Sequence, residues 1–183
     1  TAEQLGLEEL EILQLLSTLE SVDGRFQYLV SEGKITAIID YAHTPDALKN
    51  VLETINTIRS GNEQLITVVG CGGDRDIEKR PKMGAIAAQL STKVIFTSDN
   101  PRSENPDTII QHIEAGVPPQ HYKKTIAISD RKQAIKTACQ MAKQHDIILV
   151  AGKGHETYQE IQGVRSEFDD RKTISELLIA LNK

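Results

Sequence analysis

The chain has 183 residues, of which 39% are hydrophobic and 26% are charged, and its formal net charge at pH 7 is −5. A chain of this size and composition can bury a core without disulfides or a structural metal. No apolar run approaches the roughly 20 residues that a membrane-spanning helix needs. No basic stretch is interleaved with aromatic residues, so the sequence argues against a membrane and against nucleic acid as partners. The two cysteines, Cys71 and Cys139, indicate reduced thiols in a cytoplasmic protein rather than a disulfide framework.

The first predicted element is a helix over residues 8–19, because Ile12, Leu13, Leu16 and Leu19 recur at helical spacing. Residues 22–24 (VDG) then interrupt the pattern. We predict that residues 1–23 form a linker helix from a preceding domain and that residues 24–183 form one domain. Since the chain begins with a threonine, we expect it to be part of a longer protein.

Strands and helices are predicted to alternate after residue 24. The predicted strands are residues 26–30, 35–39, 65–69, 94–97, 125–128 and 147–151, and several are continuous apolar runs, which is typical of strands buried on both faces. Residues 158–165 are predicted to form a hairpin that turns at Gln162 and Gly163. Five amphipathic helices are predicted from these apolar sets: Leu48, Val51, Leu52, Ile55 and Ile58 behind Thr44 and Pro45; Met83, Ile86, Ala87 and Leu90; Ile109, Ile110 and Ile113; Ala134, Ile135, Ala138 and Met141; Ile174, Leu177, Leu178 and Leu181.

This order of elements predicts an α/β fold with three layers, α/β/α. The sheet should be Rossmann-like, doubly wound and mostly parallel, with a small antiparallel hairpin beside it. Right-handed crossovers would place helices on both faces of the sheet.

The chemically distinctive residues follow four of the predicted strands. They are residues 40–45 (DYAHTP), 70–76 (GCGGDRD), 98–102 (SDNPR) and 152–156 (GKGHE). Open α/β sheets bind ligands beyond the carboxyl ends of their strands. The sequence therefore predicts one shared cleft that is rich in Asp, Arg, His, Asn and Glu.

Each segment also has an interpretation without function. Residues 44 and 45 can simply cap a helix, the glycines can simply form a turn, and the charges after Gly73 can simply be a solvated run. The glycines match neither a Walker A loop nor a dinucleotide fingerprint. The five histidines show no metal-ligand spacing. No spacing places a base beside Cys71, so we do not expect it to be a nucleophile.

Six motifs in this order resemble the C-terminal domain of the Mur ligases. They are residues 22–26 (VDGRF), 40–48 (DYAHTPDAL), 69–76 (VGCGGDRD), 80–84 (RPKMG), 99–102 (DNPR) and 151–156 (AGKGHE). The resemblance runs from about residue 24 to the end of the chain. It is closest to the tripeptide-forming members of the family, which add meso-diaminopimelate to UDP-MurNAc-L-Ala-D-Glu in peptidoglycan biosynthesis.

The resemblance implies an ATP-dependent ligase of the cytoplasm, in which an acyl phosphate is attacked by an amine. In this family a central domain carries the phosphate loop, a modified lysine and the Mg²⁺ ligands. We therefore expect no catalytic residue and no metal site in this chain, and no ligase activity without the N-terminal and central domains. A monomer is expected.

The resemblance also implies two groups of binding residues. Arg25 and Asp40 would face ATP, with the guanidinium toward phosphate and the carboxylate toward the ribose hydroxyls, and His43 would line the same site. The residues implied for meso-diaminopimelate are Arg75, Asn100, Arg102, Gly152 and Glu156.

Two alternatives remain open at this point. The first is the same reaction with L-lysine, which would leave Arg102 buried and without a carboxylate, at a cost of about 3–5 kcal/mol. The second is a stand-alone amino-acid-binding domain that never contacts ATP. A folate-polyglutamylating relative would share the fold but should lack residues 99–102 (DNPR).

Overall fold

The computed structural model describes residues 24–183. Within that range the strands are β1 (Gln27–Val30), β2 (Thr36–Asp40), β3 (Leu65–Val69), β4 (Lys93–Phe96), β5 (Thr125–Ala127), β6 (Ile147–Ala151), β7 (Tyr158–Ile161) and β8 (Val164–Glu167). The helices are α1 (Pro45–Ile58), α2 (Lys79–Leu90), α3 (Pro106–Glu114), α4 (Arg131–Met141) and α5 (Asp170–Ala180), with a 3₁₀ helix at Pro119–Lys124. The predicted helix over residues 8–19 lies outside the described residues.

The main sheet has six strands in the order β1-β2-β6-β3-β4-β5. Strands β2, β6, β3, β4 and β5 are parallel, whereas β1 runs antiparallel to β2 at one edge. Strands β7 and β8 form a separate antiparallel hairpin. The predicted mostly parallel sheet with a small hairpin is confirmed.

Helices cover both faces of the sheet, and the strands divide their side chains between two cores. Leu65 and Val69 of β3 pack with α1, α2 and α3, whereas Ile66 and Val68 pack with α4 and α5. This alternation follows from the two-residue period of a strand, and all five residues of β3 are buried. The predicted three-layer arrangement is confirmed, but the assignment of Ile58 to the packed face of α1 is wrong, because this last residue of the helix is 64% exposed.

Side-chain caps begin the helices close to the carboxyl ends of the strands. Thr44 Oγ1 accepts from Ala47 N at 3.3 Å, with Pro45 in the first turn, as the sequence predicted. Asn105 and Asp130 cap α3 and α4 in the same way. Each cap fixes where a loop leaves the sheet edge and where its helix begins.

A buried ion pair lies at the carboxyl ends of β4 and β6. Arg131 is fully buried and donates from Nε and Nη2 to both carboxylate oxygens of Asp170, at 2.8 and 2.7 Å. It also donates to the carbonyl oxygens of Ser98 and Ala151, at 3.2 and 3.1 Å. Burial lowers the pKa of Arg131, but the Asp170 carboxylate, together with the charges of Asp99 and Glu156, more than offsets this and raises it overall. The pair therefore anchors the loops that follow β4 and β6.

In the described range, 24–183, no helix combines the length and the apolar character needed to cross a bilayer.

Candidate amino-acid-binding site

A cavity of about 470 Å³ opens where β2, β3, β4 and β6 end. Its walls come from four loops, the first residue of α2 and the first residue of the hairpin. The loop residues are Tyr41, His43 and Thr44; Gly72, Arg75 and Asp76; Asp99, Asn100 and Arg102; and Gly152 and Glu156, and the other two are Lys79 and Tyr158. The four segments singled out in the sequence therefore meet in one cleft. All five residues expected at an amino-acid site line it, and so does His43.

Asn100 and Glu156 are joined directly at the floor of the cavity. Asn100 Nδ2 donates to Glu156 Oε2 at 2.7 Å. Lys153 Nζ lies 3.3 Å from the same carboxylate oxygen and donates to Asn100 Oδ1 at 3.2 Å. Lys153 is fully buried, and the sequence analysis did not select it, because a lysine between glycines gave no sign that it was inside the protein.

Arg102 is held by its backbone as well as by its side chain. Its φ is +51°, a left-handed conformation that is uncommon for residues other than glycine. Arg102 N donates to the carbonyl oxygen of Glu160 at 3.0 Å, and the carbonyl oxygen of Arg102 accepts from Gln162 N at 2.7 Å. Arg102 Nη1 donates to the carbonyl oxygen of Gly73 at 2.8 Å.

The expectation of a buried Arg102 needs correction. The residue is only half-buried, and one of its nitrogens already has a backbone partner. A ligand without a second carboxylate would therefore leave a partly solvated guanidinium. The resulting penalty is smaller than that of a broken buried pair.

The β7–β8 hairpin clasps the loop that carries Asn100 and Arg102. Besides the two backbone bonds to Arg102, Gln159 Nε2 donates to the carbonyl oxygen of Asp99 at 2.7 Å, and Glu160 N donates to Asn100 Oδ1 at 2.9 Å. The turn falls at Gln162 and Gly163, as predicted, and both have positive φ, which suits a tight hairpin turn. The sequence predicted the hairpin but not this contact, which joins residues about 60 positions apart.

The loop after β3 is braced against the loop after β4. Arg75 lines the cavity and is exposed, and its Nη1 donates to the carbonyl oxygen of Asp74. Asp74 Oδ1 accepts from Ser103 Oγ at 2.6 Å, and Asp74 N donates to Glu104 Oε1 at 2.6 Å. Arg75 therefore projects from a loop whose position is fixed by its neighbours.

Gly152 is required by the space around it. Its φ is +117°, and a Cβ placed there would lie 2.7 Å from Asp99 Oδ2. Gly152 N donates to the carbonyl oxygen of Asp40 at 3.0 Å. Only glycine allows the 152–156 loop to approach Asp99 this closely.

Asp40 is the last residue of β2 and interacts electrostatically with Arg25, and neither residue lines the cavity. Asp40 Oδ2 accepts from Phe26 N at 2.7 Å. Burial raises the pKa of Asp40, while the amides of Phe26 and Ala42 and the charge of Arg25 oppose the rise. Ionisation of the Asp40 carboxyl group therefore costs free energy at this position.

His43 belongs to an aromatic group that links this corner to the cavity. The Tyr41 ring lies with its centroid 4.5 Å from that of His43 and 5.4 Å from that of His155. Lys79 Nζ donates to the carbonyl oxygen of His43 at 2.9 Å. Tyr41 and Lys79 both line the cavity, and the sequence analysis selected neither.

Neither cysteine is arranged for nucleophilic chemistry. Burial raises the pKa of Cys71 to about 12, and its Sγ contacts Met83 Sδ at 3.6 Å. Burial likewise raises the pKa of Cys139 to about 12. Both thiols therefore stay protonated at neutral pH.

No group of three or more His, Cys, Asp or Glu side chains in the described part of the chain is placed to hold a metal ion.

The family model for the Mur ligase glutamate ligase domain matches residues 24–154. The chain belongs to the Mur ligase family.

Two curated relatives share a name that specifies a substrate. The chain is 57% identical over 183 residues to the UDP-N-acetylmuramoyl-L-alanyl-D-glutamate–2,6-diaminopimelate ligase of Cytophaga hutchinsonii, covering all of this chain and 37% of the relative. It is 54% identical over 173 residues to the ligase of the same name from Bacteroides thetaiotaomicron, covering 94% of this chain and 36% of the relative. A solved structure of a ligase of that name superposes with a TM-score of 0.80 at 41% identity, covering all of this chain and 37% of that one. The chain thus spans somewhat more than a third of the length of these relatives.

Proposed function

We propose that this chain is the C-terminal, amino-acid-recognising domain of an ATP-dependent ligase that adds meso-diaminopimelate to UDP-MurNAc-L-Ala-D-Glu. One observation carries the proposal: Arg75 and Arg102 line the same cavity as the Glu156 carboxylate. A ligand that carries a carboxylate and an ammonium group can pair with the arginines and with the glutamate in this one pocket. The names of the relatives support this choice of substrate.

Recognition would use the zwitterion at the end of meso-diaminopimelate that does not react. Its carboxylate pairs with the Arg102 guanidinium, whose planar fork matches two oxygens, and Arg75 supports the same charge. Its ammonium pairs with Glu156 and with the carbonyl oxygen of Gly152. The other amine of the ligand then points out of the cavity, toward the carboxylate with which it reacts.

The nucleotide would contact the neighbouring corner of the domain. Arg25 binds phosphate oxygens, the Asp40 carboxylate accepts from ribose hydroxyls, and His43 lies between this corner and the cavity. ATP transfers its terminal phosphoryl group to the peptide carboxylate and forms an acyl phosphate. The substrate amine attacks its carbonyl carbon, and phosphate leaves with the electron pair of the broken C–O bond.

The phosphoryl-transfer parts and Mg²⁺ are assigned to a central domain beyond the region matched here. We therefore expect the 183-residue chain by itself to release no phosphate from ATP. We place the complete enzyme in the cytoplasm as a monomer, and its other partners are its own N-terminal and central domains and the UDP-MurNAc dipeptide.

A substrate exchange in the full-length enzyme tests the proposal. Phosphate release and ligation product are measured with meso-diaminopimelate and with L-lysine at equal concentrations. We expect kcat/KM to favour meso-diaminopimelate by about 10- to 100-fold, the range for one lost charge-assisted contact at a half-buried site.

The two alternatives give different outcomes in the same assay. Equal kcat/KM values would contradict the role given to Arg102 and favour the lysine-adding reaction. Amino-acid binding without any ATP-dependent product would favour a stand-alone binding domain.

A further inference from the structure

We infer that Lys153 is a positioning residue of the amino-acid site, which sets the orientations of the Asn100 amide and the Glu156 carboxylate without touching the substrate. This inference rests on the proposed function. Lys153 does not line the cavity, whereas Asn100 and Glu156 both do.

The ammonium group of Lys153 is enclosed on three sides. Nζ donates to Asn100 Oδ1 at 3.2 Å and to Glu156 Oε2 at 3.3 Å, and it lies 5.4 Å from the centre of the Tyr158 ring. Its side chain has no exposed surface. A buried ammonium is costly unless it is paired and hydrogen-bonded, so these contacts account for how Lys153 can stay inside the protein.

The contacts fix which way the Asn100 amide faces. Asn100 Oδ1 accepts from Lys153 Nζ and also from the backbone amide of Glu160 at 2.9 Å. A backbone N–H can only donate, so the atom it meets must be the amide oxygen. Asn100 therefore presents its NH₂ group to Glu156 and the cavity, and it can serve a substrate as a donor but not as an acceptor.

The same contacts divide the two oxygens of Glu156. Oε2 accepts from Asn100 Nδ2 at 2.7 Å and from Lys153 at 3.3 Å. Two donors on one oxygen leave Oε1 as the oxygen for an incoming ammonium.

The loop around Lys153 leaves little room for another arrangement. Gly154 has a φ of +54°, and a Cβ there would lie 2.7 Å from Tyr41 Cβ and from the carbonyl oxygen of Gly24. Arg165 also lies over the Tyr158 ring, with its Cζ 4.6 Å from the ring centroid. The ammonium is thus held at one place relative to Asn100 and Glu156.

Steady-state kinetics of the full-length ligase carrying Lys153→Met test the inference. We expect KM for meso-diaminopimelate to rise by about 10- to 100-fold, the effect of removing one charged hydrogen-bond partner. KM for ATP should stay within about twofold, and kcat should fall by less than KM rises, because the loss falls on amino-acid binding. Lys124→Met is the matched control, because Lys124 donates to the carbonyl oxygen of Ser91 near the amino ends of β4 and β5, away from the cavity. Neither KM should change in this variant.

A double-mutant cycle with Glu156→Gln separates positioning from general stability. If Lys153 acts through Glu156, the effects of Lys153→Met and Glu156→Gln on KM for meso-diaminopimelate are non-additive. Additive effects, or equal losses with ATP and the amino acid, would overturn the inference. If Lys153→Met does not fold, Lys153→Gln replaces it, because a neutral amide costs less to bury, and the same pattern is expected.

Assays of the wild-type enzyme distinguish failure of the proposed function from failure of the role given to Lys153. Failure of the wild type to use meso-diaminopimelate would overturn the proposed function together with this inference. An active wild type with an unchanged KM in Lys153→Met would overturn the role of Lys153 alone.

Discussion

The guanidinium of Arg80, buried at the start of α2, donates from both terminal nitrogens to the carboxylate of Glu104, at 2.9 and 2.7 Å. Glu104 also accepts from Asp74 N, so one carboxylate joins the loop after β3 to the loop after β4. Arg75 leaves the first of these loops and Arg102 leaves the second. The Arg80–Glu104 pair therefore sets the spacing between the two guanidinium groups of the cavity.

Replacing Glu104 with glutamine tests this pair. The hydrogen bonds from Arg80 lower the pKa of Glu104, and the substitution leaves a buried guanidinium without its counter-charge. We expect the free energy of unfolding to fall by about 2 kcal/mol, less than for a fully buried pair because Glu104 is partly exposed. The melting temperature should then fall by about 4–8 °C.

The pH dependence gives the Glu104 prediction a second measurement. A lowered folded-state pKa means that the stabilisation is present above the ordinary value of 4.5 and is lost as pH falls through the folded value. The difference in melting temperature between wild type and variant should therefore shrink in acid. Glu53→Gln, in an exposed pair with Lys49, should change the melting temperature little at any pH; the same behaviour for Glu104→Gln would contradict the assigned role.

Arg102→Lys should weaken amino-acid binding selectively. A lysine keeps the charge but loses the planar fork, and it has fewer donors with which to keep the bond to Gly73. We expect KM for meso-diaminopimelate to rise by about tenfold or more in the full-length enzyme, with little change in KM for ATP. Arg171→Lys, at an exposed position of α5, is the control. Unchanged kinetics with meso-diaminopimelate would remove Arg102 from the site.

Asp40→Asn should give the opposite selectivity. We expect KM for ATP to rise by about tenfold and KM for meso-diaminopimelate to change little, since a neutral amide is a weaker acceptor for two hydroxyls. Asp107→Asn, in the first turn of α3, should leave KM for ATP unchanged. A larger effect of Asp40→Asn on the amino acid than on ATP would contradict the assignment.

The Asp40→Asn variant should be at least as stable as the wild type at pH 7. Burial raises the folded-state pKa of Asp40 above 3.8, so the folded state loses stability as pH rises through that pKa. An asparagine has no such loss, while its amide oxygen can still accept from Phe26 N. We expect Asp40→Asn to melt at the same or a higher temperature than wild type at pH 7, with the advantage absent below the unfolded pKa; a clear fall at pH 7 would contradict this.

Asp170→Asn should be the most damaging of these substitutions. Arg131 and Asp170 both have no exposed side-chain surface, and losing one charge of a buried pair costs about 3–5 kcal/mol. Chemical denaturation measures the loss, with Glu167→Gln as the control, because Glu167 and its partner Lys172 are both exposed. A loss below about 1 kcal/mol, the range of an exposed pair, would show that the pair does not anchor the sheet edge.

Much of the fold could be predicted from the sequence because its signals are local. Continuous apolar runs marked the strands, and Thr44 and Pro45 marked the start of α1 through a hydrogen bond only three residues long. The location of the cavity was also predictable, since parallel strands bring their following loops to one edge. Within that cleft, the resemblance to the Mur ligases rather than the sheet geometry selected Arg75, Asn100, Arg102, Gly152 and Glu156, which line one cavity.

What could not be predicted depends on contacts between distant residues. Lysine is almost never buried without a partner, so Lys153 gave no sign of its position, and its partner Asn100 lies 53 residues away. The sequence analysis did not select Arg131, because its partner Asp170 lies 39 residues away. The half-burial of Arg102 could not be predicted either, because it depends on how the hairpin packs against the 99–103 loop.

The clasp between the hairpin and residues 99–103 depends mainly on main-chain atoms of the hairpin: Glu160 supplies its N–H and its carbonyl oxygen, and Gln162 supplies its N–H. Main-chain groups are the same for almost every amino acid, so outward-facing positions such as Val164, which is 69% exposed, can vary without loosening the grip on Arg102. A deletion within β7 is different, because a shift of one residue turns every side chain of a strand to the other face. The outward-facing positions of the hairpin can therefore diverge in composition, while its length is constrained by the main-chain bonds to Arg102.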